Sequence, residues 1–81
     1  MSTRSWQVRR GTDLGLAIAE ARRSKGLTQA ELAEEIQVSR PYLTLMENGR
    51  SSRLLDHLLR ALRRLGAEVT VTWPAPDSAD E

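Results

Sequence analysis

The sequence predicts a small all-α domain that ends in one β-strand, and three observations lead to this fold class. Residues 28–49 contain two short helices with apolar side chains at helical spacing, separated by a tight turn. Residues 53–65 carry leucines at helical spacing, and residues 68–73 alternate strictly between polar and apolar side chains. At 81 residues, the chain is expected to form a single domain with a thin core.

The first helix of the pair is predicted to begin after Thr28. The Thr28 hydroxyl can accept from the backbone N–H of Glu31, while the Glu31 carboxylate reaches back to the N–H of Thr28. Leu32 and Ile36 then lie on one apolar face, and the helix is predicted to end near Gln37.

The second helix is predicted to be capped by Ser39, with Pro41 in its first turn, where a missing N–H is tolerated. Leu43 and Met46 are predicted to point inward. The opposite, outward surface carries Arg40, Pro41, Thr44 and Leu45. Gly49 offers the left-handed backbone that commonly ends a helix.

The segments before the pair are predicted to be one extended stretch and one helix. Residues 2–10 alternate apolar and polar side chains but are too few to stand as a sheet alone. Thr12 is predicted to cap a helix that runs to about Lys25, with Gly26 at its end.

The last helix and the strand after it both leave apolar surface to be covered. The leucines of residues 53–65, a helix capped by Ser52, cover an arc wider than one small domain can bury, which indicates a dimer interface. The strand at 68–73 needs a mate, which is either the amino-terminal segment or the same strand of a second subunit. Residues 74–81 are predicted to be a disordered acidic tail.

The formal net charge of +1 hides an asymmetry. Residues 1–66 carry 12 basic and seven acidic side chains, a balance of +5, whereas residues 67–81 carry four acidic ones and no basic ones. A basic body suits phosphate groups, although arginines that are merely solvated would give the same count.

Several classes of protein are not expected from this composition. The absence of cysteine excludes disulfides and thiolate metal sites and suits a reducing cytoplasm, and no signal peptide or membrane span is expected. His57 is the only histidine and lies among leucines, so no second histidine or cysteine can complete a metal site or nucleophile pair with it. We expect His57 to be an interface or surface residue. We therefore expect a soluble cytoplasmic protein that is not an enzyme and needs no cofactor.

Four short motifs resemble the XRE, or Cro/C1-type, family of helix-turn-helix regulators, over roughly residues 12–66. They are Leu27-Thr28-Gln29, Glu31-Leu32-Ala33, Val38-Ser39 and Glu47-Asn48-Gly49. The resemblance implies a five-helix-type Cro/C1 domain that binds DNA. More narrowly, the chain resembles the HipB antitoxins, which pair with HipA-type kinase toxins.

Two positions depart from the family pattern. The family usually has Gly at the turn position of Gln37, where φ is commonly positive, and a non-Gly residue there costs about 1 kcal/mol. Either the turn is strained or its path shifts by a residue. Leu45 lies where a polar reader of bases or phosphates is expected, and it could instead contact a thymine methyl group.

The HipB resemblance also implies an arrangement for the whole chain. It comprises an extended arm (1–11), a DNA-binding domain (12–66), a dimerisation strand (67–73) and the tail (74–81). The strand would pair with its equivalent in a second subunit, forming an intersubunit β-sheet in a homodimer. The predicted dimerisation residues are Leu55, Leu59, Leu62, Val69, Val71 and Trp73. The resemblance further implies an ion pair between Arg22 and Glu47; the alternative is two independently solvated charges.

A symmetric dimer of this type would place two recognition helices about 34 Å apart, so the operator should be an inverted repeat in double-stranded DNA. Arg40 is predicted to read guanine through its guanidinium fork. Gln29 is predicted to hold a phosphate, as is Arg50 or the pair Arg9 and Arg10. Ser39, Tyr42 and Thr44 could reach bases or backbone, although Tyr42 is equally well explained as a partly buried aromatic. The full predicted DNA-binding set is Gln29, Ser39, Arg40, Pro41, Tyr42, Thr44, Leu45 and Arg50.

The function predicted from these residues is a repressor that acts as the antitoxin of a HipA-like kinase toxin and represses its own operon. Two alternatives stay open. One is a stand-alone phage-type transcriptional regulator. The other is a protein-interaction module that sequesters a partner without binding DNA.

Overall fold

The computed structural model describes residues 2–49 and 52–76, and it shows a mainly helical domain with one small sheet. In chain order, the elements are β1 (Thr3–Val8), α1 (Gly11–Ser24), α2 (Gln29–Ile36), α3 (Arg40–Glu47), α4 (Arg53–Arg64) and β2 (Val69–Pro74). The predicted helix-turn-helix pair and carboxy-terminal strand are confirmed. The described residues form four helices, so the five-helix count is not confirmed.

The sheet is built within one chain. β1 and β2 pair antiparallel, in a register that runs from Thr3 opposite Pro74 to Val8 opposite Val69. The mate of β2 is therefore the amino-terminal segment of the same chain, and pairing with the same strand of a second subunit is not confirmed. Pairing within the chain costs only loop closure, a few kcal/mol, whereas association costs about 4–15 kcal/mol in lost freedom.

The sheet packs against α1 through its apolar face. Val8 and Trp73 are buried, and the indole Nε1 of Trp73 donates a hydrogen bond of 3.2 Å to Oγ of Ser24. The core that results is small and built largely from short side chains. Its apolar members are Val8, Ala17, Ala19, Ala33, Leu43, Leu59 and Trp73.

α1 begins one residue before the predicted cap, so the prediction that Thr12 caps this helix is wrong. The cap position is occupied by Arg10, and the carboxylate of Asp13 reaches back from the third helical position, where its Oδ2 accepts from the backbone N–H groups of Arg9 and Arg10 at 2.9 and 3.1 Å. An acidic side chain near the amino end of a helix also interacts favourably with the helix dipole.

α1 approaches the end of α3 closely at Gly15. A Cβ atom on this residue would lie 2.2 Å from the carbonyl oxygen of Met46 and 3.0 Å from the backbone nitrogen of Gly49. Only glycine fits here without moving one of the two backbones, and this contact sets the position of α3 relative to α1.

Candidate nucleic-acid interface

The two helices of the pair begin as the sequence predicts. The Thr28 hydroxyl accepts from the N–H of Glu31 at 3.1 Å, and Oε1 of Glu31 accepts from the N–H of Thr28 at 2.8 Å. The Ser39 hydroxyl accepts from the N–H of Tyr42 at 3.2 Å. Each cap fixes the first turn of its helix and therefore the direction in which that helix leaves the turn.

The turn between α2 and α3 adopts the left-handed conformation. Gln37 has φ 63° and ψ 45°, and it is the one non-glycine with positive φ among the described residues. Of the two possibilities raised by the missing glycine, the backbone follows the strained one. The turn is closed by a hydrogen bond of 3.0 Å from the N–H of Val38 to the carbonyl of Ala33.

α3 has one fixed face and one open face. Leu43 is fully buried and Glu47 is 5% exposed, so the inner face is held against the rest of the domain. The outer surface is exposed to solvent and carries Ser39, Arg40, Pro41, Tyr42 and Leu45. Tyr42 is 56% exposed, which disfavours its interpretation as a partly buried aromatic.

The predicted ion pair between Arg22 and Glu47 is confirmed. Nε and Nη2 of Arg22 donate to Oε2 and Oε1 of Glu47 at 2.7 and 3.1 Å, and both side chains are largely buried. Nη1 of Arg22 also donates to the carbonyl of Leu27 at 2.8 Å. One guanidinium therefore joins α1 to α3 and to the segment before α2.

Burial raises the pKa of the Glu47 carboxyl, but the opposing effects are larger. Hydrogen bonds from Arg22 and Gln29, together with the positive charge of Arg22, hold the pKa below its ordinary value. Glu47 is therefore a carboxylate at neutral pH, and its negative charge is needed to compensate the buried guanidinium.

Gln29 and Thr44 are joined to this network. Nε2 of Gln29 donates to Oε1 of Glu47 at 2.9 Å. The Thr44 hydroxyl lies 3.3 Å from Oε1 of Gln29 and 3.1 Å from the carbonyl oxygen of Arg40, and it is the only possible donor of the three groups. Sequence reasoning placed both residues on the DNA-facing surface but missed their connection, because residues 29, 44 and 47 meet only through tertiary packing.

The fold brings several basic side chains of the described residues together. Arg50, a predicted phosphate contact, lies outside the described residues. The fold brings four exposed arginines from the β1–α1 junction and α4 around one groove, which also contains Thr12 and Asp56. They are Arg9, Arg10, Arg60 and Arg63. The sequence gives no signal for this cluster, since its members are about 50 residues apart.

The predicted dimerisation residues differ in what remains accessible. Leu59 and Trp73 are buried within the single chain, so they have little surface left to offer a second subunit. Leu55, Val69 and Val71 are half-buried, and Leu62 is 38% exposed.

Other kinds of site receive no support from the described residues. Within residues 2–49 and 52–76, histidine and acidic side chains form no group of three placed to hold a metal ion. His57 is exposed on α4, as expected of a surface or interface residue. No helix in the described part of the chain has the length and apolar character that crossing a membrane requires.

Comparison with known proteins agrees with the geometry of α2 and α3. No curated protein and no solved structure matches the chain. Residues 4–73, which span β1 to β2, match a family described as a helix-turn-helix domain. This match covers most of the 81 residues, and the chain therefore belongs to a helix-turn-helix domain family, the type of domain found in DNA-binding regulators.

Proposed function

We propose that this protein is a sequence-specific transcriptional repressor that binds an inverted-repeat operator as a homodimer, with α3 in the major groove. The observation that carries this proposal is the contrast between the two faces of α3. Its inner face is fixed by Leu43 and Glu47, whereas its outer face leaves Arg40, Tyr42 and Leu45 free to contact another molecule. A rigid helix with an exposed polar face near its amino end suits insertion into the groove.

Base reading is assigned to the amino-terminal end of α3. Arg40 is exposed and lies one residue after the Ser39 cap, so its guanidinium can form a fork with O6 and N7 of guanine. Leu45 is 46% exposed and offers an apolar contact to a thymine methyl group. Ser39 and Tyr42 lie on the same surface and are assigned contacts with the bases or with the DNA backbone.

Phosphate binding is assigned to Gln29 and to the predicted basic side chains. Gln29 is the first residue of α2, where backbone N–H groups and the helix dipole favour an anion. Arg50 and the exposed pair Arg9 and Arg10 add positive charge. These contacts orient the protein on the duplex, and they make affinity fall with salt.

The dimer is proposed to form through α4. Four leucines at spacings of four, four and three residues leave 38–80% of their surface exposed, and contiguous exposed apolar side chains commonly mark a partner surface. They are Leu54, Leu58, Leu62 and Leu65. Of the predicted dimerisation residues, Leu62 belongs to this exposed row, Leu55, Val69 and Val71 are half-buried, and Leu59 and Trp73 belong to the core.

The narrower proposal is that the repressor is also an antitoxin that binds a HipA-like kinase toxin and represses its own operon with it. Its support is the likeness of the sequence to HipB antitoxins. Co-purification from the native operon tests it, because a kinase-like protein retained at a defined ratio is the expected result. Recovery of the homodimer alone would leave a stand-alone regulator of the phage type.

The DNA-binding proposal is tested by selecting tight-binding duplexes from a random pool. Fluorescence anisotropy then measures the affinity of the protein for the selected duplex. We expect an inverted repeat, and an affinity that falls steeply as salt rises because phosphate contacts release counterions. Selection that returns no common sequence would favour the protein-interaction module.

Arg40→Ala separates reading from general attraction. It should relax sequence preference by about five- to 150-fold per half-site, which corresponds to 1–3 kcal/mol. Arg4→Ala removes the same charge from an exposed position on β1 and should leave preference unchanged. Equal loss of affinity on all sequences in Arg40→Ala would make Arg40 a phosphate contact instead.

The dimer is tested by the spacing of the half-sites. Inserting 5 bp turns one half-site by about half a helical turn, so two rigidly joined recognition helices can no longer reach both. We expect binding to weaken at least to the level of a single half-site. Unchanged affinity would mean that two subunits bind independently.

A further inference from the structure

We infer that Thr44 and Glu47 are positioning residues for Gln29, holding its side-chain amide so that one N–H stays available to a DNA phosphate. This inference deepens the proposed function and rests on it. It also changes the role predicted for Thr44, from a group that contacts DNA to one that acts through Gln29.

The first step is that the Gln29 amide is held at both ends. Its Nε2 donates to Oε1 of Glu47 at 2.9 Å, and its Oε1 lies 3.3 Å from the Thr44 hydroxyl, which shares its one proton between this oxygen and the carbonyl oxygen of Arg40 at 3.1 Å. A flipped amide would place its oxygen against the carboxylate oxygen, where neither group can donate. The two neighbours therefore select one orientation of the amide.

The second step is that Glu47 is itself buried and hydrogen-bonded. It is 5% exposed and accepts two hydrogen bonds from Arg22, whose guanidinium also binds the carbonyl of Leu27. The ion pair therefore links α1 to the side-chain orientation of Gln29, the first residue of α2.

The third step concerns what is left for a ligand. An amide nitrogen carries two N–H groups, and among the described residues Nε2 of Gln29 has one acceptor, Glu47. The second N–H remains for a phosphate oxygen. Because Gln29 is neutral, this contact depends on the direction of the N–H rather than on charge, so a misdirected amide would present its carbonyl oxygen to the phosphate and repel it.

Thr44→Val and Thr44→Ser form a matched pair for the test. Valine keeps the shape but removes the hydroxyl, whereas serine keeps the hydroxyl. On the selected duplex, we expect Thr44→Val to weaken binding about two- to tenfold, the usual effect of one hydrogen bond, and Thr44→Ser to restore wild-type affinity. In a Gln29→Ala background, Thr44→Val should cause no further loss.

Ethylation interference supplies a second readout on the DNA. We expect one phosphate at which ethylation weakens binding of the wild type. Ethylation of the same phosphate should not weaken binding of Gln29→Ala or Thr44→Val. Additive losses in the double variant, or interference unchanged in Thr44→Val, would make Thr44 an independent DNA contact and overturn the inference.

The free protein supplies a readout that does not depend on DNA binding. We expect ¹⁵N relaxation to show a rigid Gln29 side-chain amide in the wild type and a more mobile one in Thr44→Val and Glu47→Gln. An amide already mobile in the wild type would overturn the positioning role. If the amide is rigid but no duplex is bound, the proposed function has failed instead, so the two failures are distinguishable.

Discussion

The helix-turn-helix unit (residues 11–49) and α4 differ in how far their side chains are buried and hydrogen-bonded within one chain. In the unit, Leu43 is fully buried and the buried Glu47 accepts three hydrogen bonds. In α4, Leu59 is buried, but Leu58 is 53% exposed and Leu54 is 68% exposed. The buried side chains of the unit that is proposed to meet DNA are held within one subunit, whereas α4 leaves apolar surface for a second protein surface.

Leucine truncation in the two regions gives the largest expected contrast. Leu43→Ala should lower the free energy of unfolding by about 3–4 kcal/mol, because it leaves a cavity in a fully buried site. Leu58→Ala should cost less than about 0.5 kcal/mol in the monomer but weaken self-association. Urea denaturation at two protein concentrations, with sedimentation of each variant, measures both effects. Equal costs would remove the distinction between the regions.

Gly15→Ala tests the close approach of α1 and α3. The added Cβ would meet backbone atoms that cannot rotate away, so we expect a loss of about 2–3 kcal/mol. Gly26→Ala is the control, since its Cβ would meet nothing within 4 Å and its cost should come only from positive φ, about 1 kcal/mol. If denaturation gives the same loss for both, the contact at Gly15 is less tight than described.

The Glu47 network predicts how stability depends on pH. Because the pKa of Glu47 is lowered by folding, its contribution is complete above the ordinary glutamate pKa of about 4.3 and is lost as pH falls through the lowered value. Thermal melts between pH 7 and pH 2 should therefore show a smaller acid-induced decrease in Glu47→Gln than in the wild type. Parallel curves for the two proteins would contradict this role of Glu47.

Gln37→Gly is expected to have the smallest effect, and the opposite sign. Glycine relieves the left-handed strain at φ 63° but gains more freedom in the unfolded chain, so stability should rise by up to about 1 kcal/mol. Denaturant midpoints check this prediction. A destabilised variant would show that the Gln37 side chain makes a contribution larger than the strain.

Features set by neighbouring residues could be predicted from the sequence. The caps at Thr28, Ser39 and Ser52 depend on hydrogen bonds that span three residues, and all three form. Likeness to a known family added the pairing of Arg22 with Glu47, which no local pattern indicates.

Features set by tertiary packing could not be predicted in the same way. The alternation in β2 fits a mate from either source, and the pairing with β1 appears only in the folded chain, where β2 also contacts α1. Thr12 lies inside α1, and the carboxylate of Asp13, the third helical residue, binds the backbone N–H groups before the helix instead. The hydrogen bond from Gln29 to Glu47 joins α2 to α3, and the sequence pattern of neither helix indicates it.

The most direct test of the central claim, that the outer face of α3 reads bases, is guanine N7 methylation interference on the selected duplex. We predict that methylation of one guanine in each half-site weakens binding of the wild type but has no effect on Arg40→Ala. Identical interference patterns for the two proteins would contradict the claim, because Arg40 would then play no part in recognising that base.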